Sequence, residues 1–352
     1  MGLNKGEWSE LYTLFYLLIN KKIKIVDSRL NVINEGIFEV KEILSKKKLG
    51  IFSFKRCGIK VFPNIFGESI EPILIEELKQ INEMLFNEIK KGKVGSGSFS
   101  IPKIQKWLDT KGILNTYKAN SKVKEDLTLI NLDTIREENI TLGYSIKSQL
   151  GHPATLLNAS NHTKFKYEVI GLDPSKIKEI NNIFTTTKLK DRISKIKQLG
   201  GKIKFHSLES HIFNKNLEMI DMLLPKALAE VLLNSYTENI KDLKKLFAKN
   251  TIYNDINLAN KKLTDFLLAV SLGMFPSIKW DGNYTANGGL IVVSYDSNVY
   301  VLDMIYYSNQ LKEYLINETK LDSPSSTRYD MLNLKIKDNR IYFTLNLQIR
   351  YK

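Results

Sequence analysis

One cysteine, Cys57, stands in the 352 residues, so no internal disulfide can form and a disulfide-stapled secreted fold is excluded. The four histidines, His152, His162, His206 and His211, share no spacing with cysteine that would frame a zinc site. No early apolar run is longer than that from Leu11 to Ile19, well short of the roughly 20 residues that cross a bilayer. Glu7 and Glu10 lie where a secretory leader would carry basic residues, and cytoplasmic residence is the expectation. The stretch Gly92 to Ser98 lacks the Gly-Lys-Ser/Thr ending of a phosphate-binding loop, which disfavours ATP hydrolysis. No strand is followed by a Gly-x-Gly turn of the kind a methyltransferase cofactor fold uses. Arginine is scarce, and neither internal repeats nor low-complexity linkers break the chain.

What is present describes a folded protein that meets a polyanion. Hydrophobic residues make up 43% and charged residues 26%, near the averages for globular chains, and the length suits about two domains. Lys and Arg total 52 against 38 Asp and Glu, a formal charge of +14, which points to nucleic acid. Part of that excess reflects a Lys-, Asn- and Ile-rich composition. Two runs concentrate it, however: Lys41 to Lys60 holds seven cations against one Glu, and Lys188 to Lys204 holds seven against Asp191 alone.

Periodicity places the elements. Trp8, Leu11, Tyr12, Phe15 and Leu18 recur at three- and four-residue spacings, predicting an amphipathic helix to about Ile19 with Glu7 and Glu10 on one face. Helices are also expected over 72–91, 102–111, 174–184, 214–247 with an interruption near Pro225, and 258–274. Short strands or turns are expected at 23–26, 38–40 and 50–54, and a strand at 165–170. Near the C-terminus two hairpins are expected, 289–306 around Asp296-Ser297-Asn298 and 334–350 around Asp338-Asn339. Mid-chain, 126–133 and 141–148 read as a further hairpin. If its turn is centred near 136 and 137, Asp126 faces Lys147 and Asp133 faces Ile140. Ser145 and Lys147 then project from one face, because strand side chains alternate. A carboxylate at a strand end suits Mg²⁺, and a neighbouring lysine can position a water or stabilise charge on a phosphate. A cross-strand salt bridge with no catalytic role fits the same spacing.

The stretch Lys124-Glu125-Asp126-Leu127, with Gly143-Tyr144-Ser145-Ile146-Lys147-Ser148-Gln149-Leu150-Gly151 and Thr155-Leu156-Leu157-Asn158-Ala159-Ser160, resembles type II restriction endonucleases of the HpaII family. Asn4-Lys5-Gly6-Glu7-Trp8-Ser9-Glu10 is similar to the family's N-terminus. Ser323-Pro324-Ser325-Ser326-Thr327-Arg328 and Leu345-Asn346-Leu347-Gln348-Ile349-Arg350 are similar to its C-terminus. Blocks at the start, middle and end suggest a full-length relative.

The resemblance implies an α/β (α+β) fold with a PD-(D/E)xK-like nuclease core. Helices would flank its mixed central sheet, and a β-hairpin-rich region would follow at the C-terminus. It implies a Mg²⁺-dependent cut of duplex DNA at a short palindrome, CCGG, with Asp126 as metal-binding acid and Lys147 as the lysine of the motif. Ser145 stands where the pattern has an acid, so a second metal-binding acid must come from elsewhere, with Glu10 favoured over Glu7 and Glu168. Base readout is expected from Arg328, and from Arg350 on a strand face shared with Asn346 and Gln348. Asn158, Ser160, Asn161 and Gln149 are further candidates for DNA contact. Palindromic symmetry implies a homodimer on DNA, and a cognate DNA methyltransferase as genetic partner. Two closely packed parts are expected, 1–212 with the nuclease core and 213–352 with the recognition region. The rival reading is a non-catalytic DNA-binding regulator that uses the same basic runs.

Overall fold

The computed structural model describes residues 2–47, 50–65, 67–92, 97–113 and 124–352. Lys48 of the first basic run and residues 93–96 of the glycine-rich stretch lie outside the described residues. The chain forms two compact units: Met1–Ala154 with Ser271–Gly273 and Asn283–Tyr314, and Thr155–Val270 with Met274–Gly282 and Leu315–Lys352. A boundary between 212 and 213 therefore falls inside the second unit.

The first unit is organised by its first helix, Lys5–Asn20. Asn4 caps it, accepting from the Glu7 amide at 3.0 Å while the Glu7 carboxylate accepts from the Asn4 amide at 2.8 Å. This reciprocal box satisfies donors that a helix start otherwise leaves unpaired. At the other end Arg56 donates to the carbonyls of Leu18 (2.8 Å) and Ile19, so one cation of the first basic run is a helix cap. Trp8, Leu11, Leu14, Phe15 and Leu18 are buried against Phe38, Leu129, Tyr144 and Ile291 in one apolar cluster. Burial of each such side chain contributes roughly 1.5–3 kcal/mol.

Beneath the helix lies a mixed sheet of eleven strands among the described residues. At its centre the strand Leu127–Asp133 pairs antiparallel with Glu138–Ser148 on one side and with Phe38–Lys47 on the other. Gly289–Val293 runs parallel to Glu138–Ser148, from Tyr144 opposite Gly289 to Ser148 opposite Val293. It is buried at every residue, as expected of a strand covered on both faces. The expected fold class, a mixed central sheet flanked by helices, is what the chain adopts.

The second unit holds two smaller sheets. In one, Ile349–Tyr351 lies between Thr155–Leu157 and Thr319–Leu321. In the other, Lys164–Ile170 lies between Lys202–Leu208 and Arg340–Asn346, with Lys335–Lys337 outermost. Asp338 and Asn339 both take positive φ, 50° and 58°, making the two-residue turn that their residue types favour. Helices include Lys188–Gln198, His211–Ile220, Leu224–Thr237 and Ile256–Leu272.

Two departures from the sequence reading matter for function. Lys188 to Lys204 is not a uniform charged face: Arg192 is buried and donates to the carbonyls of Leu332 (3.0 Å), Ile183 and Asn181, while Lys195 pairs with Glu179 at 2.7 Å. Lys190, Lys197, Lys202 and Lys204 remain exposed. The last strand, expected to run unbroken over 341–350, divides after Asn346, and its two halves join different sheets. Asn346 consequently does not share an exposed face with Gln348 and Arg350. It is fully buried, and its amide donates to the Ser160 carbonyl at 2.7 Å.

Candidate active site

The hairpin register sets the site. Leu127 pairs with Tyr144 and Asp133 with Glu138, so the turn is centred one residue earlier than the sequence reading placed it. Asp133 is the cause: its Oδ1 accepts from the amides of Ile135 (3.0 Å) and Arg136 (3.2 Å), and Glu137 takes φ 59°, closing a turn over Thr134–Glu137. Asp126 therefore comes against Ser145, not Lys147, and Asp133 faces Glu138, not Ile140. The shift moves both strands by whole pairs, so facing is preserved.

Asp126 lies just outside the regular ladder. Its amide donates to the Tyr144 carbonyl at 2.8 Å, one residue off the paired register, and its Oδ2 accepts from the Ile146 amide at 2.6 Å. A side-chain carboxylate thus replaces a main-chain acceptor at the end of the pairing and is pinned there. Ser145, 1% exposed, links the groups: its Oγ lies 3.4 Å from Asp126 Oδ2 and accepts from Lys147 Nζ at 2.9 Å. The lysine thus reaches the serine hydroxyl and the serine reaches the acid, so the simple cross-strand salt bridge is not what the hairpin builds. Aspartate, serine and lysine instead form a chain along one strand end.

The first helix is fastened to this strand end. Ser9 Oγ donates to Ser148 Oγ at 2.9 Å, and Lys5 Nζ to the Leu150 carbonyl at 2.8 Å. Glu10, half-buried, follows Ser9 on that helix. Glu7 is committed to the cap described above. Glu168 belongs to the second unit, where His206 Nδ1 (3.9 Å) and Arg340 Nε (3.8 Å) stand against its carboxylate.

Sequence reasoning passes over two neighbours of Asp126. The Lys124 ammonium is driven down to about 7, chiefly by burial and also by nearby Lys147, while Asp126 works in the opposite direction. Replacing Lys147 with Ala should accordingly raise the Lys124 pKa, and Asp126→Asn should lower it. Reactivity of Lys124 toward an amine-modifying reagent across a pH series spanning that value, followed by mass spectrometry, checks both directions. Glu125 fills the space beside Gly143, on the face that Ser145 and Lys147 share. A Cβ at Gly143 would sit 2.6 Å from Glu125 Oε2 and would also collide with the Thr285 carbonyl. The Gly143 amide is held by Asn287 Oδ1 at 2.8 Å. The signal available in sequence was a glycine in the interior of a predicted strand, two residues before Ser145.

The donor set suits a hard cation sparingly ligated by protein. Asp126 Oδ2 takes the two donors named, and Oδ1 accepts no hydrogen bond among the described residues. No group of three or more His, Cys, Asp or Glu side chains able to hold a metal occurs among the described residues. Mg²⁺ is characteristically bound by one or two carboxylates, with waters and substrate phosphate completing its shell.

The DNA-contact candidates fall in the second unit, apart from Gln149, whose main-chain N–H donates to the Val293 carbonyl at 2.9 Å in the first. Asn158 and Asn161 are exposed, whereas Ser160 caps a short 3₁₀ turn, its Oγ accepting from the His162 amide at 3.1 Å. Arg328 is exposed, 5.4 Å over the Tyr329 ring, and the Tyr329 hydroxyl donates to the Ala159 carbonyl at 2.8 Å.

Comparison with known proteins supplies the class. The family described as HpaII restriction endonuclease matches residues 4–351, and the chain belongs to it: it is a type II site-specific deoxyribonuclease. Its relatives include the type II restriction enzyme HpaII of Haemophilus parainfluenzae, 33% identical over 358 aligned positions that cover 99% of this chain and 98% of that enzyme. No solved structure matches the chain. Family membership sets aside the reading as a non-catalytic regulator. No helix of the described residues is long and apolar enough to cross a membrane.

Proposed function

We propose that this endonuclease uses Mg²⁺ to hydrolyse both strands of duplex DNA at CCGG, with a PD-(D/E)xK-type site in which serine replaces the second acid. The observation that carries the proposal is the continuous arrangement of Asp126, Ser145 and Lys147 at one strand end. Asp126 would hold the metal with Glu10 as second acid, the first helix being fastened beside Lys147. When bound, the metal supplies Lewis-acid stabilisation of the scissile phosphate. Lys147, oriented by Ser145, places its ammonium to position the attacking water and to balance charge on the phosphate. The Ile146 amide keeps Asp126 in place as an acceptor. Products with 5′-phosphate and 3′-hydroxyl ends are expected, from a homodimer on the palindrome. The enzyme would act in the cytoplasm, where a cognate methyltransferase protects host sites.

Incubating the protein with unmethylated and CCGG-methylated plasmid, with Mg²⁺ and with EDTA, tests metal, target and protection together. Fragments from the unmethylated plasmid in Mg²⁺ alone are expected; cutting in EDTA, or at another sequence, overturns the respective part. If the lysine face of the second unit tracks the DNA backbone, Lys190→Gln with Lys197→Gln should flatten the log–log salt dependence of binding by about one unit per lost phosphate contact. An unchanged slope in fluorescence-anisotropy titrations removes that face from the interface.

A further inference from the structure

Arg350 and Gln348 do not project independently. Asp322 Oδ2 accepts from Arg350 Nε at 2.9 Å and from Gln348 Nε2 at 3.1 Å. The Asp322 amide donates to the Gln348 carbonyl at 2.9 Å, and Asp322 Oδ1 accepts from the Ser323 amide at 2.9 Å. One carboxylate is thereby tied by main chain and side chain to the segment that presents both candidate readers. The arginine and aspartate side chains are 29% and 32% exposed, so part of each reaches solvent.

An ion pair that reaches the surface contributes little to stability and is screened by salt. Its physical effect is directional. An arginine side chain samples many rotamers, but once Nε is fixed the guanidinium plane is fixed, and with it the direction of both terminal NH₂ groups, the pair that grips guanine O6 and N7. The shared oxygen sets the Gln348 amide in the same frame. The surroundings remain cationic: Lys320 is paired with Arg350 across the strands, and Lys241 Nζ donates to Ser323 Oγ at 2.7 Å. A single acid in this setting would not by itself repel a phosphate backbone.

We infer that Asp322 is a positioning residue for sequence recognition, orienting Arg350 and Gln348 toward the bases of duplex DNA. The inference rests on the reading of Arg350 and Gln348 as base contacts, and its test keeps the two apart. Wild type, Arg350→Ala, Gln348→Ala, Asp322→Ala and Asp322→Asn are each used to select bound duplexes, in Ca²⁺, from a pool randomised over about eight base pairs. Urea midpoints for every variant report folding, and Asp322→Asn serves where Asp322→Ala is unstable. The expected result is roughly a fivefold or greater loss of preference in both Asp322 variants, confined to the base positions that Arg350→Ala or Gln348→Ala also relaxes, with affinity for unrelated duplex changed less than about twofold. Should the Asp322 variants select the wild-type sequence while Arg350→Ala does not, the positioning role is refuted. Relaxation at a position that neither reader affects would make Asp322 a base contact itself and also overturn the inference. If Arg350→Ala and Gln348→Ala both select the wild-type sequence, the underlying reading of this surface fails.

Discussion

Asp126→Asn and Lys147→Ala should each lower DNA cleavage by roughly 10²–10⁴-fold, the range seen when a positioned acid–base or charge-stabilising group is removed. Specific binding in Ca²⁺ should survive, because neither group belongs to the surface proposed to read bases. The asparagine in Asp126→Asn keeps the shape of the original side chain and can still accept from the Ile146 amide, so the loss would reflect charge at the proposed metal position. Lys147→Ala removes the ammonium but leaves Ser145 in place. Single-turnover cleavage of a labelled duplex, with binding measured in parallel, separates the two effects. Near-wild-type cutting by either variant removes that residue from the active site, and loss of binding together with cutting would point to collapse of the strand end.

Gly143→Ala is expected to have the second-largest effect. Its methyl group would occupy the space now filled by the Thr285 carbonyl and the Glu125 carboxylate. One obstacle is main chain in the segment that also carries Asn287, the partner of the Gly143 amide, so relief requires the strand or that segment to move. Overpacking of this kind costs about 1–3 kcal/mol. Because Gly143 precedes Ser145 by two residues, the displacement falls on the strand that carries Ser145 and Lys147, and cleavage should drop more than stability alone explains. A urea melt beside a cleavage assay at a temperature where the variant is folded makes the comparison. A folded variant cleaving at the wild-type rate would show that the site tolerates movement of this strand.

The central hairpin was legible because its facing depends on parity, and parity survives a small error in locating the turn. The error had a local cause: Asp133 reads as an ordinary strand residue, yet its side chain caps the turn and its Oδ2 accepts from Tyr306 at 2.7 Å, a contact 173 residues away. The first helix was legible from its apolar spacing; its cap drew no prediction, although Asn4 followed three residues later by Glu7 is a capping-box pattern. By contrast Lys202–Leu208 was read for charge alone, although Ile203, Phe205 and Ser207 alternate with Lys202, Lys204 and His206 as in a strand exposed on one face. The helix Ser308–Glu318 drew no prediction, although Leu311, Tyr314 and Leu315 stand at the three- and four-residue spacing of a helix face. Division of the last strand after Asn346 has no local signature, since it depends on partners at 164–170 and 319–321. The Asp322 contacts with Gln348 and Arg350 were hidden for the same reason: they join residues 26 and 28 positions apart.

The polypeptide passes between its two units at 154/155, 270/271, 273/274, 282/283 and 314/315. A single splice can therefore never lift one unit out whole, and a chimaera carrying the second unit of a relative would need compatible junctions at all five places. Natural recombination faces the same arithmetic. With target choice in the second unit, as proposed, new specificities should arise by point substitution on the existing framework and not by exchange of modules.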